Sequence, residues 1–129
     1  MNTVTARPMR SWMLALLVSF YLSLTSFACD FAPEVKRQKL VEIDSIKIFM
    51  THGDLFKVKE NYNKIFDKAK EVEADIAMFG HTHYAENLFV EGLHLFNPGS
   101  IIPRGRNYGS VGYMEIQNGK ILQLEHLTF

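Results

Sequence analysis

The chain has 129 residues, a formal net charge of zero and 47% hydrophobic residues. That length suits at most one ordinary domain, and no charge excess argues for nucleic acid or an anionic membrane as a partner. A single cysteine, Cys29, excludes an internal disulfide and a cysteine-based zinc cluster.

The composition changes near residue 28. Residues 1–28 hold Arg7 and Arg10 and no acidic residue, and residues 12–24 are almost continuously apolar. Ser26-Phe27-Ala28 follows, with small residues where a signal peptidase would cut. The apolar run is short of the roughly 20 residues that span a bilayer comfortably. Three readings stay open for this hydrophobic segment: a secretory signal, a short membrane anchor, or the product of a truncated or frame-shifted gene. A membrane partner is expected only if residues 12–28 form a real anchor.

From Cys29 onward the chain is rich in Lys, Glu and Asp. Ile46-Lys47-Ile48-Phe49-Met50-Thr51 alternates and predicts a strand running into His52-Gly53. Residues 55–73 carry Val58, Tyr62, Ile65, Phe66, Ala69 and Val72 on one stripe, which predicts a helix packed on a sheet. Residues 75–79 predict a buried strand ending at Gly80, with a loop to Tyr84. Residues 88–96 read as a hairpin turning at Glu91-Gly92, and Asn97-Pro98-Gly99-Ser100 as a turn. Residues 112–117 and 120–129 read as two strands joined at Asn118-Gly119. Strand, helix, strand and then hairpins suggest an α/β layered fold.

Gly80-His81-Thr82-His83 is the chemically richest stretch. Neutral imidazole is the commonest protein ligand for zinc and suits other first-row metals. In an α/β sheet, sites lie at the carboxyl ends of strands. If the strands ending at His52 and at Gly80 are neighbours, as a βαβ unit favours, three histidines converge at one sheet edge.

These motifs, in this order and spacing, resemble the metallophosphoesterases, specifically the small bacterial YfcE-type phosphodiesterases. The matching elements are Cys29-Asp30-Phe31, Thr51-His52-Gly53, Phe79-Gly80-His81-Thr82-His83, Asn97-Pro98-Gly99-Ser100, Pro103-Arg104 and Tyr108-Gly109. The resemblance covers about residues 29–129 and implies part of an α/β four-layer β-sandwich flanked by helices. It implies hydrolysis of a small phosphodiester by a metal-activated hydroxide, in the cytoplasm unless residues 1–28 act as an export signal. It implies two divalent ions about 3.5–4 Å apart. Of these, His52 and His81 would hold one, and His83 the other. Mn²⁺ is the expected metal, with Ni²⁺, Fe²⁺ and Zn²⁺ as alternatives. Arg104 is a candidate for holding phosphate.

The family pattern also has Asp-x-His, Gly-Asp and Gly-Asn motifs ahead of Cys-Asp, and residues 1–28 supply none of them. Two dications a few Å apart repel, and anions bridging them make their pairing workable. Three neutral imidazoles offer no such charge. The expectation is therefore at most one tightly held ion and impaired catalysis, with the first βαβ units of the fold missing. Asp30 and Asp54 are the nearest carboxylates in sequence; Asp54, just after His52, is placed to approach the site, and neither replaces the bridge. The alternative from another class is a non-catalytic scaffold or binding protein, like the retromer subunit of the same superfamily. His94 and His126, on the expected hairpin and last strand, read as structural histidines.

Overall fold

A computed structural model describes residues 3–6, 37–103, 105, 106 and 108–129. Cys29, Asp30, Arg104 and the apolar stretch 12–28 lie outside the described residues. Eight strands and one α-helix are described: β1 (Thr3–Ala6), β2 (Gln38–Ile43), β3 (Ile46–Thr51), α1 (Asn63–Glu71), β4 (Ile76–Met78), β5 (Ala85–Val90), β6 (Leu93–Pro98), β7 (Ser110–Gln117) and β8 (Lys120–Thr128).

Six strands form one sheet in the order β1-β2-β3-β4-β6-β5, and β7 and β8 form a separate antiparallel pair. β3, β4 and β6 run parallel, so Thr51, Met78 and Pro98 bring their chain ends out at the same edge. β2–β3 and β5–β6 are antiparallel hairpins.

The central strands are apolar at nearly every position because both sheet faces are covered. Ile48 and Met50 of β3, Ile76 and Met78 of β4, and Phe96 of β6 face the β7–β8 pair and pack with Met114. Phe49, Ala77, Leu93 and Leu95 take the opposite face and pack with Ile65 and Ala69 of α1. A two-residue period sends alternate side chains into two different cores. The fold is mixed α/β, as the sequence implied.

Three expectations are corrected. The expected helix over residues 55–73 is an α-helix only at Asn63–Glu71, preceded by a 3₁₀ turn at Asp54–Phe56. Lys57 takes a left-handed conformation (φ 52°), and Asn61 accepts the Asn63 N–H through its side chain at 3.0 Å. Both features break the helix, yet Val58 and Tyr62 still pack toward Phe79, so the stripe marked burial correctly. The Asn97-Pro98 half of the expected turn closes β6. Strand β2, absent from the sequence reading, pairs with β3 along its whole length. Among the described residues no helix is long and apolar enough to cross a membrane.

Candidate functional site

The parallel register that puts Phe49 opposite Ala77 continues past the strand ends. The Gly80 N–H donates to the His52 carbonyl at 2.9 Å. This bond fixes the His52 backbone against the start of the histidine loop. The two side chains then meet: His52 Nε2 lies 3.1 Å from His81 Nδ1, with the rings edge to face at 4.9 Å between centroids.

The loop that carries His81 is bent sharply. The Thr82 N–H donates to the Gly80 carbonyl at 2.8 Å, closing a three-residue turn around His81. His81 has φ 66°, as does His83. Left-handed backbone at two non-glycine positions flanking Thr82 costs on the order of 1–3 kcal/mol each and persists only where the surroundings impose it. Asn97, wholly buried, supplies that constraint. Its amide donates to Thr82 Oγ1 at 2.9 Å and to the Gly80 carbonyl at 3.2 Å, and its Oδ1 accepts the Gly99 N–H at 3.0 Å. Thr82 Oγ1 in turn accepts the Tyr84 N–H at 3.2 Å.

Burial depresses the basicity of His52 below the ordinary 6.5. Asp54 opposes that shift, while His81, His83 and Lys59 add to it. His81 is lowered by burial and by Lys59, again against Asp54. Neutral imidazole is the form that binds metal. Asp54 is held by Arg37, its Oδ2 lying 3.4 Å from the guanidinium Nη1.

The structure thus brings His52 and His81 into contact and leaves His83 on the exposed side of the same loop. Two nitrogens bound to one ion at about 2.1 Å with an angle between 90° and 110° lie roughly 3.0–3.4 Å apart. The 3.1 Å between His52 Nε2 and His81 Nδ1 matches that spacing. In this structure that contact is a hydrogen bond, one ring N–H donating to the other ring nitrogen, so both lone pairs would turn to one ion only once that shared proton is lost. Among the described residues no three His, Cys, Asp or Glu side chains gather as a metal-binding group.

A family model for the calcineurin-like phosphoesterase superfamily domain matches residues 26–119. The chain belongs to that superfamily. It is 37% identical over 91 residues to a Bacillus subtilis protein named a probable metallophosphoesterase, a match covering 70% of this chain and 54% of the relative. The chain spans about half the length of the curated relatives it matches. A conserved uncharacterized Streptococcus pneumoniae protein, described as a predicted phosphoesterase, superposes with a TM-score of 0.65 at 20% identity. That match covers 98% of this chain and 88% of the other. Wild-type Vps29 of Entamoeba histolytica, solved in complex with zinc, superposes with a TM-score of 0.59 at 22% identity, covering 74% of this chain and 62% of the other. These likenesses in structure establish the shared fold.

Beside the superfamily's histidines the sequence reading missed a cleft of about 330 Å³ lined by Val58, Lys59, Tyr62, Thr82, Tyr84 and Glu86. Tyr62 leans on Phe79 at 5.1 Å, and Glu86 acts on its hydroxyl. Burial first, and Glu86 second, raise the basicity of that phenol above the ordinary 10.0. In the sequence Tyr62 shows only as part of the apolar stripe. Glu86 enters through the register, because it lies directly across from Asn97.

Proposed function

We propose that this chain carries the histidine part of a metal-dependent phosphodiesterase centre and, on its own, hydrolyses phosphodiesters slowly. The observation behind this reading is the His52–His81 pair, 3.1 Å apart at adjacent parallel strand ends. His52 and His81 would hold a divalent ion, Mn²⁺ by family resemblance, and His83 would reach for a second. A bound ion supplies Lewis-acid polarisation of the phosphoryl group and acidifies water. Lys59 lowers the basicity of both His52 and His81, and in this reading its positive charge would also offset charge building on a phosphoryl oxygen. Arg104 is carried forward from the sequence as a phosphate contact.

The test is hydrolysis of bis(4-nitrophenyl) phosphate by the purified chain with and without Mn²⁺. Mn²⁺-stimulated turnover that disappears in His81→Ala and His83→Ala supports the reading. Turnover unchanged by both substitutions overturns the site assignment.

A non-catalytic binding protein on the same fold is the second reading, favoured by the lack of a three-donor group among the described residues. A stoichiometric partner with no hydrolysis at saturating Mn²⁺ would select it.

A further inference from the structure

We propose that the cleft beside the histidine loop is a binding site for the base of a nucleotide. A planar heteroaromatic ring would lie on Tyr84, its N–H edge toward Glu86, and the attached phosphate toward Lys59.

The cleft volume of about 330 Å³ stands at the small end of ligand sites, which run from about 300 to 1,000 Å³. Its walls combine three kinds of chemistry. Tyr84 is 62% exposed, yet its backbone is anchored to Thr82, so it presents a large ring on a fixed stem. A rigid exposed aromatic beside a cleft is a stacking platform, and every base has a π-face to offer it. Glu86 is half-buried at the end of a β-hairpin and lines the cleft beside Tyr62. A carboxylate has about four acceptor positions, so it keeps capacity for a ring N–H or amino group. Lys59 is exposed and lines the cleft, and its positive charge is felt by the histidine pair.

Together these walls select a ligand that is anionic on the histidine side, flat in the middle and rich in N–H donors at its far edge. Of the cleft's lining residues an inorganic phosphate would engage Lys59 and leave Tyr84 and Glu86 unused. A purely aromatic ring would cover part of half-buried Glu86 without offering its carboxylate a donor, which loses solvation for no hydrogen bond. A nucleotide answers all three.

The phosphate end of this proposal rests on the phosphodiesterase reading; the base end does not. The test is a titration of the ¹⁵N-labelled full chain, read at the Thr82, Tyr84 and Glu86 amides, with adenosine, adenosine 5′-monophosphate and ribose 5-phosphate. Adenosine and the monophosphate should shift these amides, the monophosphate binding more tightly, and ribose 5-phosphate should not. Tyr84→Ala should weaken both base-bearing ligands by about ten-fold or more. Lys59→Ala should remove the advantage of the monophosphate over adenosine. Tyr84 and Lys59 are exposed, so neither substitution threatens the fold. Absence of adenosine binding, equal binding of ribose 5-phosphate, or indifference to Tyr84→Ala would each overturn the proposal. Adenosine binding in a chain with no hydrolysis would uphold the cleft and sink the phosphodiesterase. Hydrolysis without adenosine binding would do the reverse.

Discussion

The buried side-chain amide of Asn97 donates to Thr82 Oγ1 at 2.9 Å and to the Gly80 carbonyl at 3.2 Å, bracketing His81. All hydrogen-bonding capacity at this end of Asn97 is directed at the two turns that shape the site. Replacing it with leucine keeps much of the volume but removes one of two hydrogen bonds from the Gly80 carbonyl and from Thr82 Oγ1, and takes away the acceptor of the Gly99 N–H. Leaving one buried polar group unsatisfied costs about 1–3 kcal/mol. Asn97→Leu should therefore lower unfolding stability by at least that much in urea titration. The histidine ring signals of His81 and His83 should also move in NMR spectra, since their left-handed backbone loses its support.

His126 secures the same residue from the other side. Its Nε2 lies 2.8 Å from the Asn97 carbonyl, and its ring stacks on Phe96 at 4.7 Å with 11° between planes. A carbonyl only accepts, so Nε2 carries the proton. His126→Phe keeps the stack and deletes the donor. The expected loss is about 1–3 kcal/mol in denaturant unfolding, and His126→Gln, which retains a donor, should recover part of it.

The parts of this arrangement legible in sequence were those carried by local pattern. Ile46 to Thr51 announced a strand, and the stripe from Val58 to Val72 announced a buried face. His52 and His81 were paired on paper because βαβ connections place successive parallel strands side by side. What escaped was set by distant register. Residues 38–43 lack clean alternation, and their half-buried strand is defined by pairing with β3. Helix α1 begins late because Asn61 and Lys57 divert the backbone, a competition that periodicity does not register. Glu86 is an ordinary surface residue in the sequence. It lines a cleft only because the β5–β6 hairpin sets it across from Asn97.

His94 provides a pH-dependent test. It is half-buried against Phe89 at 4.5 Å, and its Nδ1 is buried without a hydrogen-bond partner. Burial lowers its basicity below the ordinary 6.5, with Asp75 opposing. The unfolded chain therefore takes up a proton at this residue at a higher pH than the folded chain does. Stability is fully present above 6.5 and falls as the pH drops toward the lowered folded-state value. Urea midpoints measured between neutral and mildly acidic pH should decline on acidification. His94→Gln should flatten that decline; an equal slope in the variant would remove His94 as a cause.

Gly112 sits where β7 crosses Phe96. A Cβ built there would lie 2.5 Å from Phe96 Cε1, 3.0 Å from Cζ and 3.3 Å from Pro98 Cβ. Phe96 is fully buried and sandwiched by His126, so its ring has little room to turn away. Overpacking of a filled core costs about 1–3 kcal/mol. Gly112→Ala should destabilise the chain by that amount. It should also push Phe96 off His126, weakening the bond to the Asn97 carbonyl and disturbing the histidine loop beyond it. Combining Gly112→Ala with His126→Phe should then cost less than the sum of the two single substitutions, because both act through the same ring. Additive losses would show that β7 presses on the core without reaching Asn97.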